Sequence, residues 1–177
     1  MEISFKKVRP FTTVSRQVKK LYFDAFPANE RLPYSLLLVN SWRKQSDFYA
    51  FYDKEVFAGL AYVIADAKNY FILFLAVDGQ NRSKGYGSAI LQKLKGEAGE
   101  RPVILTIEPM DESAENIDQR RKRLAFYERN GFILTNHFYH EGQESYQVMV
   151  TDEKASLEDF ERLMKAVFLG FLKVSLD

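Results

Sequence analysis

The 177 residues contain no cysteine. That excludes disulfides, thiolate metal sites and a cysteine nucleophile, and it agrees with a cytoplasmic setting. Histidine is almost as scarce, with His137 and His140 the two present. Their neighbours Phe138 and Tyr139 read as strand, where positions i and i+3 face opposite sides, so no metal centre is expected. Charge of either sign is not in excess: 25 basic residues meet 24 acidic ones, for a net +1. No bulk electrostatic pull toward nucleic acid or a membrane surface follows. Long apolar runs are also missing. The opening Met1-Glu2-Ile3-Ser4-Phe5-Lys6-Lys7 lacks the apolar core of a signal peptide. The stretch from Leu163 to Leu176 is too short for a bilayer and is broken by Lys165 and Lys173.

Aromatic residues, by contrast, are abundant: 15 Phe, 10 Tyr and 1 Trp. Most must line a core or a cleft, and a chain of this length is expected to form one domain, 1–177, with a sizeable core. A first strand is predicted over 3–9. Thr12, Thr13 or Ser15 would cap a helix reaching Phe26, with Val18, Leu21, Tyr22 and Phe26 on one face. A proline-bounded connector leads to a second helix ending near Arg43. Strands are predicted over 48–52, 56–65 and 70–77. A helix follows to about Gly96, then a buried strand over 103–107 and an acidic loop over 108–112. A charged helix covers 117–130, with Gly131 as its left-handed terminator. Strands over 132–140 and 144–151 precede an amphipathic helix over about 155–173. The order βααβββαβαββα combines an antiparallel run with two βα crossovers, which makes a mixed-sheet α/β fold with helices on both faces.

The most specific stretch is Val77-Asp78-Gly79-Gln80-Asn81-Arg82-Ser83-Lys84-Gly85-Tyr86-Gly87-Ser88. It joins a buried strand to a helix. A helix start offers unpaired N–H groups and positive dipole character, which suits a phosphate. Gly85 and Gly87 allow an anion close to the backbone, and Arg82 and Lys84 add charge. The third glycine of a dinucleotide fingerprint and the Gly-Lys-Ser/Thr of a P-loop are both absent. What remains, Arg82-Ser83-Lys84-Gly85-Tyr86-Gly87, resembles the acetyl-CoA pyrophosphate loop of the GCN5-related N-acetyltransferase (GNAT) superfamily. A second stretch, Phe126-Tyr127-Glu128-Arg129-Asn130-Gly131-Phe132, resembles the same superfamily's Leu/Phe-Tyr-x-x-x-Gly-Phe signature. The two lie in the family's order over about residues 3–151, and the last helix falls outside the likeness.

The resemblance implies a mostly antiparallel central sheet flanked by helices. It implies acetyl-CoA as co-substrate, held by Leu75, Ala76 and Val77 through their backbone and by the loop Arg82, Ser83, Lys84, Gly85, Tyr86, Gly87 and Ser88. The strand of Leu75–Val77 would splay from that of Val103–Ile107, and the notch would take the pantetheine arm. Tyr127 becomes the acid that meets the departing thiolate. The position where the family often has a cofactor-touching Asn holds Arg120, so Asn116, one turn earlier, is the substitute. Glu108 is the first candidate base, where pairing with a neighbour or binding a cationic substrate is the alternative; a water chain out of the cleft, or Glu30 as the next candidate, could serve instead. Glu30 and Tyr34, in and after the proline-bounded connector, are candidates for the acceptor wall, where a rigid turn is the alternative. The expected activity is direct transfer of acetyl to a primary amine of a small molecule or peptide. A catalytically silent acyl-CoA-binding regulatory module is the alternative. The bulky face of the last helix would pack on its own domain or form a homodimer contact.

Overall fold

The computed structural model describes residues 1–43, 45–81, 84–168 and 174–177. Among them the chain forms eight strands and five helices: β1 Ile3–Lys7, α1 Thr13–Ala25, α2 Tyr34–Asn40, β2 Ser46–Asp53, β3 Val56–Ala65, β4 Tyr70–Val77, α3 Tyr86–Ala98, β5 Val103–Ile107, α4 Ile117–Arg129, β6 Ile133–Glu141, β7 Glu144–Val150, α5 Leu157–Val167 and β8 Val174–Leu176. The fold is mixed α/β with mostly antiparallel pairing, as expected. The backbone divides into two compact units, Met1–Ile64 with Ile72–Gly99, and Ala65–Phe71 with Glu100–Asp177.

In the first unit the strands run in the order β1-β2-β3-β4. β1 pairs antiparallel with β2 from Ile3↔Asp53 to Lys7↔Tyr49, and β2 with β3 from Asp53↔Val56 to Ser46↔Ile64. The β2–β3 turn places Lys54 at φ 54. The runs Phe48–Tyr52 and Ala58–Ile64 are buried throughout, as near-continuous apolar strands covered on both faces must be. Of the three capping candidates, Thr12 is the cap: its Oγ1 accepts from the Ser15 amide at 3.1 Å. α1 buries Val18, Leu21 and Tyr22. The Tyr22 hydroxyl accepts from the Leu32 amide at 2.8 Å and donates to the Leu32 carbonyl at 2.9 Å, so one buried phenol fixes the connector after α1. The predicted second helix stops earlier, at Asn40. Beyond it Trp42 and Arg43 donate to carbonyls only three residues back, the tight turns that end a helix.

In the second unit the order is β5-β7-β6-β8. β5 pairs antiparallel with β7 from Ile104↔Val150 to Ile107↔Gln147, and β6 with β7 from Ile133↔Val150 to Glu141↔Glu144. The last helix is the clearest departure from expectation. α5 ends at Val167 rather than continuing, and residues 169–173 lie outside the described residues. The chain then forms β8, which pairs antiparallel with β6 through Glu141↔Val174 and Tyr139↔Leu176. A three-residue strand carries no periodic signal of its own; its pairing is tertiary. The apolar face of α5 is covered within its unit. Phe160 is fully buried, with its ring centroid 4.6 Å from that of Phe71 and 5.7 Å from that of Tyr139.

Candidate functional site

The glycine loop lies in the first unit, held at both ends by the β2–β3 hairpin. At its entry the Asp78 amide donates to the Ala58 carbonyl at 2.9 Å, and the buried Asn81 donates from Nδ2 to the Phe57 carbonyl at 3.1 Å. Asn81 Oδ1 accepts from Lys84 Nζ at 3.2 Å. Gly59 permits this close approach: a Cβ there would lie 2.3 Å from the Ala76 carbonyl oxygen and 3.2 Å from Val77 Cα. At its exit Gly85, at φ 83, is the N-cap of α3 and offers no side chain to the helix start. Among the described residues the first-turn amides of Tyr86, Gly87 and Ser88 therefore have no side-chain cap, the condition under which a helix start accepts an anion. Lys84 and Gly85 are exposed, and Gly87 and Ser88 half-buried. Arg82 and Ser83 lie outside the described residues. On β4, Ala76 is buried and Leu75 and Val77 are half-buried.

The Tyr86 side chain does not face the loop's open side. It is buried, and its hydroxyl donates to Asp53 Oδ2 at 3.1 Å. Asp53 Oδ1 accepts from the Glu2 amide at 3.0 Å. The Glu2 amide, with help from Tyr86 and Lys54, holds the Asp53 carboxyl below its usual range, while burial and Asp53 together raise the Tyr86 phenol. Asp53, Asn81 and Gly59 were not legible as site residues. Only Gly59 carried a signal, as an isolated glycine inside an apolar strand.

The other candidates lie in the second unit. The Phe126–Phe132 stretch has a geometric reason. Gly131 sits at φ 77. Its amide donates to the Glu128 carbonyl at 2.9 Å, and that of Phe132 to the Tyr127 carbonyl at 3.1 Å. These are the two bonds of a Schellman stop, and the accompanying apolar contact is Phe132 on Tyr127, centroids 5.7 Å apart. The stop thus locks the ring of Tyr127. Burial pushes the Tyr127 phenol up to about 12, with Arg123 pulling the other way. Among the described residues no hydrogen bond engages its hydroxyl.

Glu108, just past β5, is engaged on both oxygens. Oε1 accepts from Asn116 Nδ2 at 2.9 Å and lies 3.6 Å from Arg120 Nη2; Oε2 pairs with Arg123. Asn116 is engaged at its other end too, accepting from Arg120 Nε at 2.8 Å, while Arg120 Nη1 donates to the Pro109 carbonyl at 2.7 Å. The position that departs from the family pattern, Arg120, is therefore a brace between α4 and the loop after β5. In the first unit Glu30 is half-buried, its amide on the Pro27 carbonyl at 3.1 Å. Tyr34 is buried, and its hydroxyl donates to the Ser15 carbonyl at 3.0 Å. It ties α2 to α1 and points inward. Both histidines sit on β6, where His140 Nδ1 lies 2.8 Å from Ser145 Oγ and Nε2 lies 3.0 Å from Asp177 Oδ2. Among the described residues no group of three His, Cys, Asp or Glu is placed to hold a metal, and no helix is long and apolar enough to cross a membrane.

Residues 44–134 match the acetyltransferase (GNAT) domain, and the chain belongs to that family of acyltransferases. A GNAT-family acetyltransferase from Bacteroides thetaiotaomicron is similar over 93% of this chain and 96% of its own, with a TM-score of 0.75 and 21% identity. An aminoglycoside 6'-N-acetyltransferase complexed with coenzyme A is similar over 85% of this chain and 96% of its own, with a TM-score of 0.61 and 15% identity. The ribosomal-protein-S18-alanine N-acetyltransferase from Escherichia coli is similar over 84% and 92%, with a TM-score of 0.57 and 15% identity. These likenesses concern the fold. No curated protein sequence matches the chain significantly.

Proposed function

We propose that the enzyme transfers acetyl from acetyl-CoA directly to a primary amine of a small molecule or peptide. The observation that carries this function is the start of α3, where left-handed Gly85 leaves the helix amides without a side-chain cap beside exposed Lys84. Those amides suit the CoA pyrophosphate, and the backbone of Leu75–Val77 leads the pantetheine arm away from it. Two relatives in fold are named for an aminoglycoside and for a ribosomal-protein alanine as acceptors, so the fold leaves the acceptor open.

The amine nitrogen attacks the acetyl carbonyl carbon, a C–N bond forms, the C–S bond breaks, and CoA leaves as a thiolate that takes a proton from water as the amine gives one up to water. Tyr127 is the donor toward the departing sulfur. A phenol near 12 is a weaker acid than a thiol near ~8.5, so a hydrogen bond to the developing thiolate fits it better than complete early transfer. Its raised pKa also keeps it protonated across the range in which amines become nucleophilic. Glu108 acts in this scheme as an organiser: with both oxygens held, it fixes Asn116, Arg120 and Arg123, and the ammonium proton leaves through water.

Tyr127→Phe tests the scheme. It keeps the ring in the helix stop and should lower kcat by about 10²-fold while acetyl-CoA affinity stays within about twofold. An unchanged kcat removes Tyr127 from the chemistry.

A further inference from the structure

One of the residues whose amides are proposed to hold the pyrophosphate, Tyr86, is hydrogen-bonded through its side chain to a carboxylate elsewhere in the fold. Tyr86 stands between Gly85 and Gly87, and its buried ring cannot be a ligand for an anion at the helix start. Its hydroxyl is fixed by Asp53, at the end of β2, and Asp53 is fixed in turn by the Glu2 amide just before β1. The same hairpin holds the loop's entry through Ala58 and Phe57. One hairpin thereby fixes both ends of the span from Asp78 to Tyr86. An anion cradle built from backbone amides is worth most when those amides are aimed before the ligand arrives.

We infer that Asp53 is a positioning residue for the donor, acting through Tyr86 to aim the first-turn amides of α3 at the pyrophosphate. The inference rests on the CoA assignment of that helix start. Asp53 touches neither donor nor acceptor in this scheme, so its loss should appear only with a donor that carries the pyrophosphate. A general weakening of the fold would not discriminate between donors.

The test compares acetyl-CoA with S-acetylpantetheine, which lacks the pyrophosphate and nucleotide, in the wild-type protein, Asp53→Asn and Tyr86→Phe. The expected result is a rise of about tenfold in KM and Kd for acetyl-CoA in Asp53→Asn, with kcat within twofold and S-acetylpantetheine kinetics unchanged. Tyr86→Phe should show a similar loss for acetyl-CoA, and the double variant should be no worse than either single one, because the two act as one unit. If Asp53→Asn does not fold, the acetyl-CoA Kd of Tyr86→Phe decides by itself. Equal losses on both donors, additive losses, or unchanged acetyl-CoA affinity overturn the inference. A wild-type protein that treats the two donors alike overturns the CoA assignment as well, which separates the two failures.

Discussion

Tyr127 and Glu108 illustrate how surroundings decide what a titratable side chain can do. The signature around Tyr127 is legible in sequence because it does two jobs. Gly131 and Phe132 end a helix in a Schellman stop, and that stop packs Phe132 on the tyrosine ring. Glu108 was legible as a carboxylate at the end of a strand, with pairing to a neighbour among its readings, but its partners were not legible. Its partners Asn116 and Arg123 come from a turn and a helix beyond the acidic loop, and only the folded backbone brings them to both of its oxygens. Arg120, which breaks the family pattern, completes the network through Asn116 and Pro109. Glu108→Gln should lower the rate by less than about tenfold and leave the acid limb of the kcat/KM pH profile in place; the limb vanishes if Glu108 is the base, whose removal costs about 10²-fold or more.

At the scale of elements, strands were the most legible. The runs over β3, β4 and β5 match their predicted bounds because each is a continuous apolar stretch bounded by turn residues. Gly59 shows what a strand reading leaves out. Its missing Cβ lets β3 meet the Ala76 carbonyl, so Gly59→Ala should cost about 1–3 kcal/mol through backbone displacement, read as a lower midpoint in denaturant unfolding with the m-value unchanged. β8 was invisible for the opposite reason: its three residues acquire their form from β6. The same strand carries a second consequence. Burial raises the Glu141 carboxyl above its ordinary value, with the Tyr139 hydroxyl, a donor at 3.2 Å, opposing the shift. A carboxyl raised in the fold is penalised when charged, so its cost is present at neutral pH and disappears as pH falls through the folded value toward the unfolded one. Glu141→Gln should therefore raise Tm at pH 7, with the gain shrinking toward zero near pH ~4.

For the whole molecule, the order of elements and two short motifs defined the family, whereas the acceptor was not legible. The reason is physical. A donor loop is built from backbone amides at a helix start, which a glycine pattern announces. An acceptor wall is built from side chains whose directions depend on packing, and Tyr34, which the connector's composition suggested, turns inward onto Ser15. Asp53 escaped notice for a related reason: 33 positions separate it from Tyr86, and no local pattern links them.

Acetyl-group transfer is most directly measured by following free thiol and acetylated product together, with acetyl-CoA and a mixed panel of primary amines that spans amino sugars, polyamines and peptide termini. Thiol release that depends on an amine, matched by acetyl on that amine and none on the protein, is the predicted result. Tight acetyl-CoA binding without amine-dependent thiol release, unaltered by Tyr127→Phe, would contradict it and leave a catalytically silent acyl-CoA-binding module.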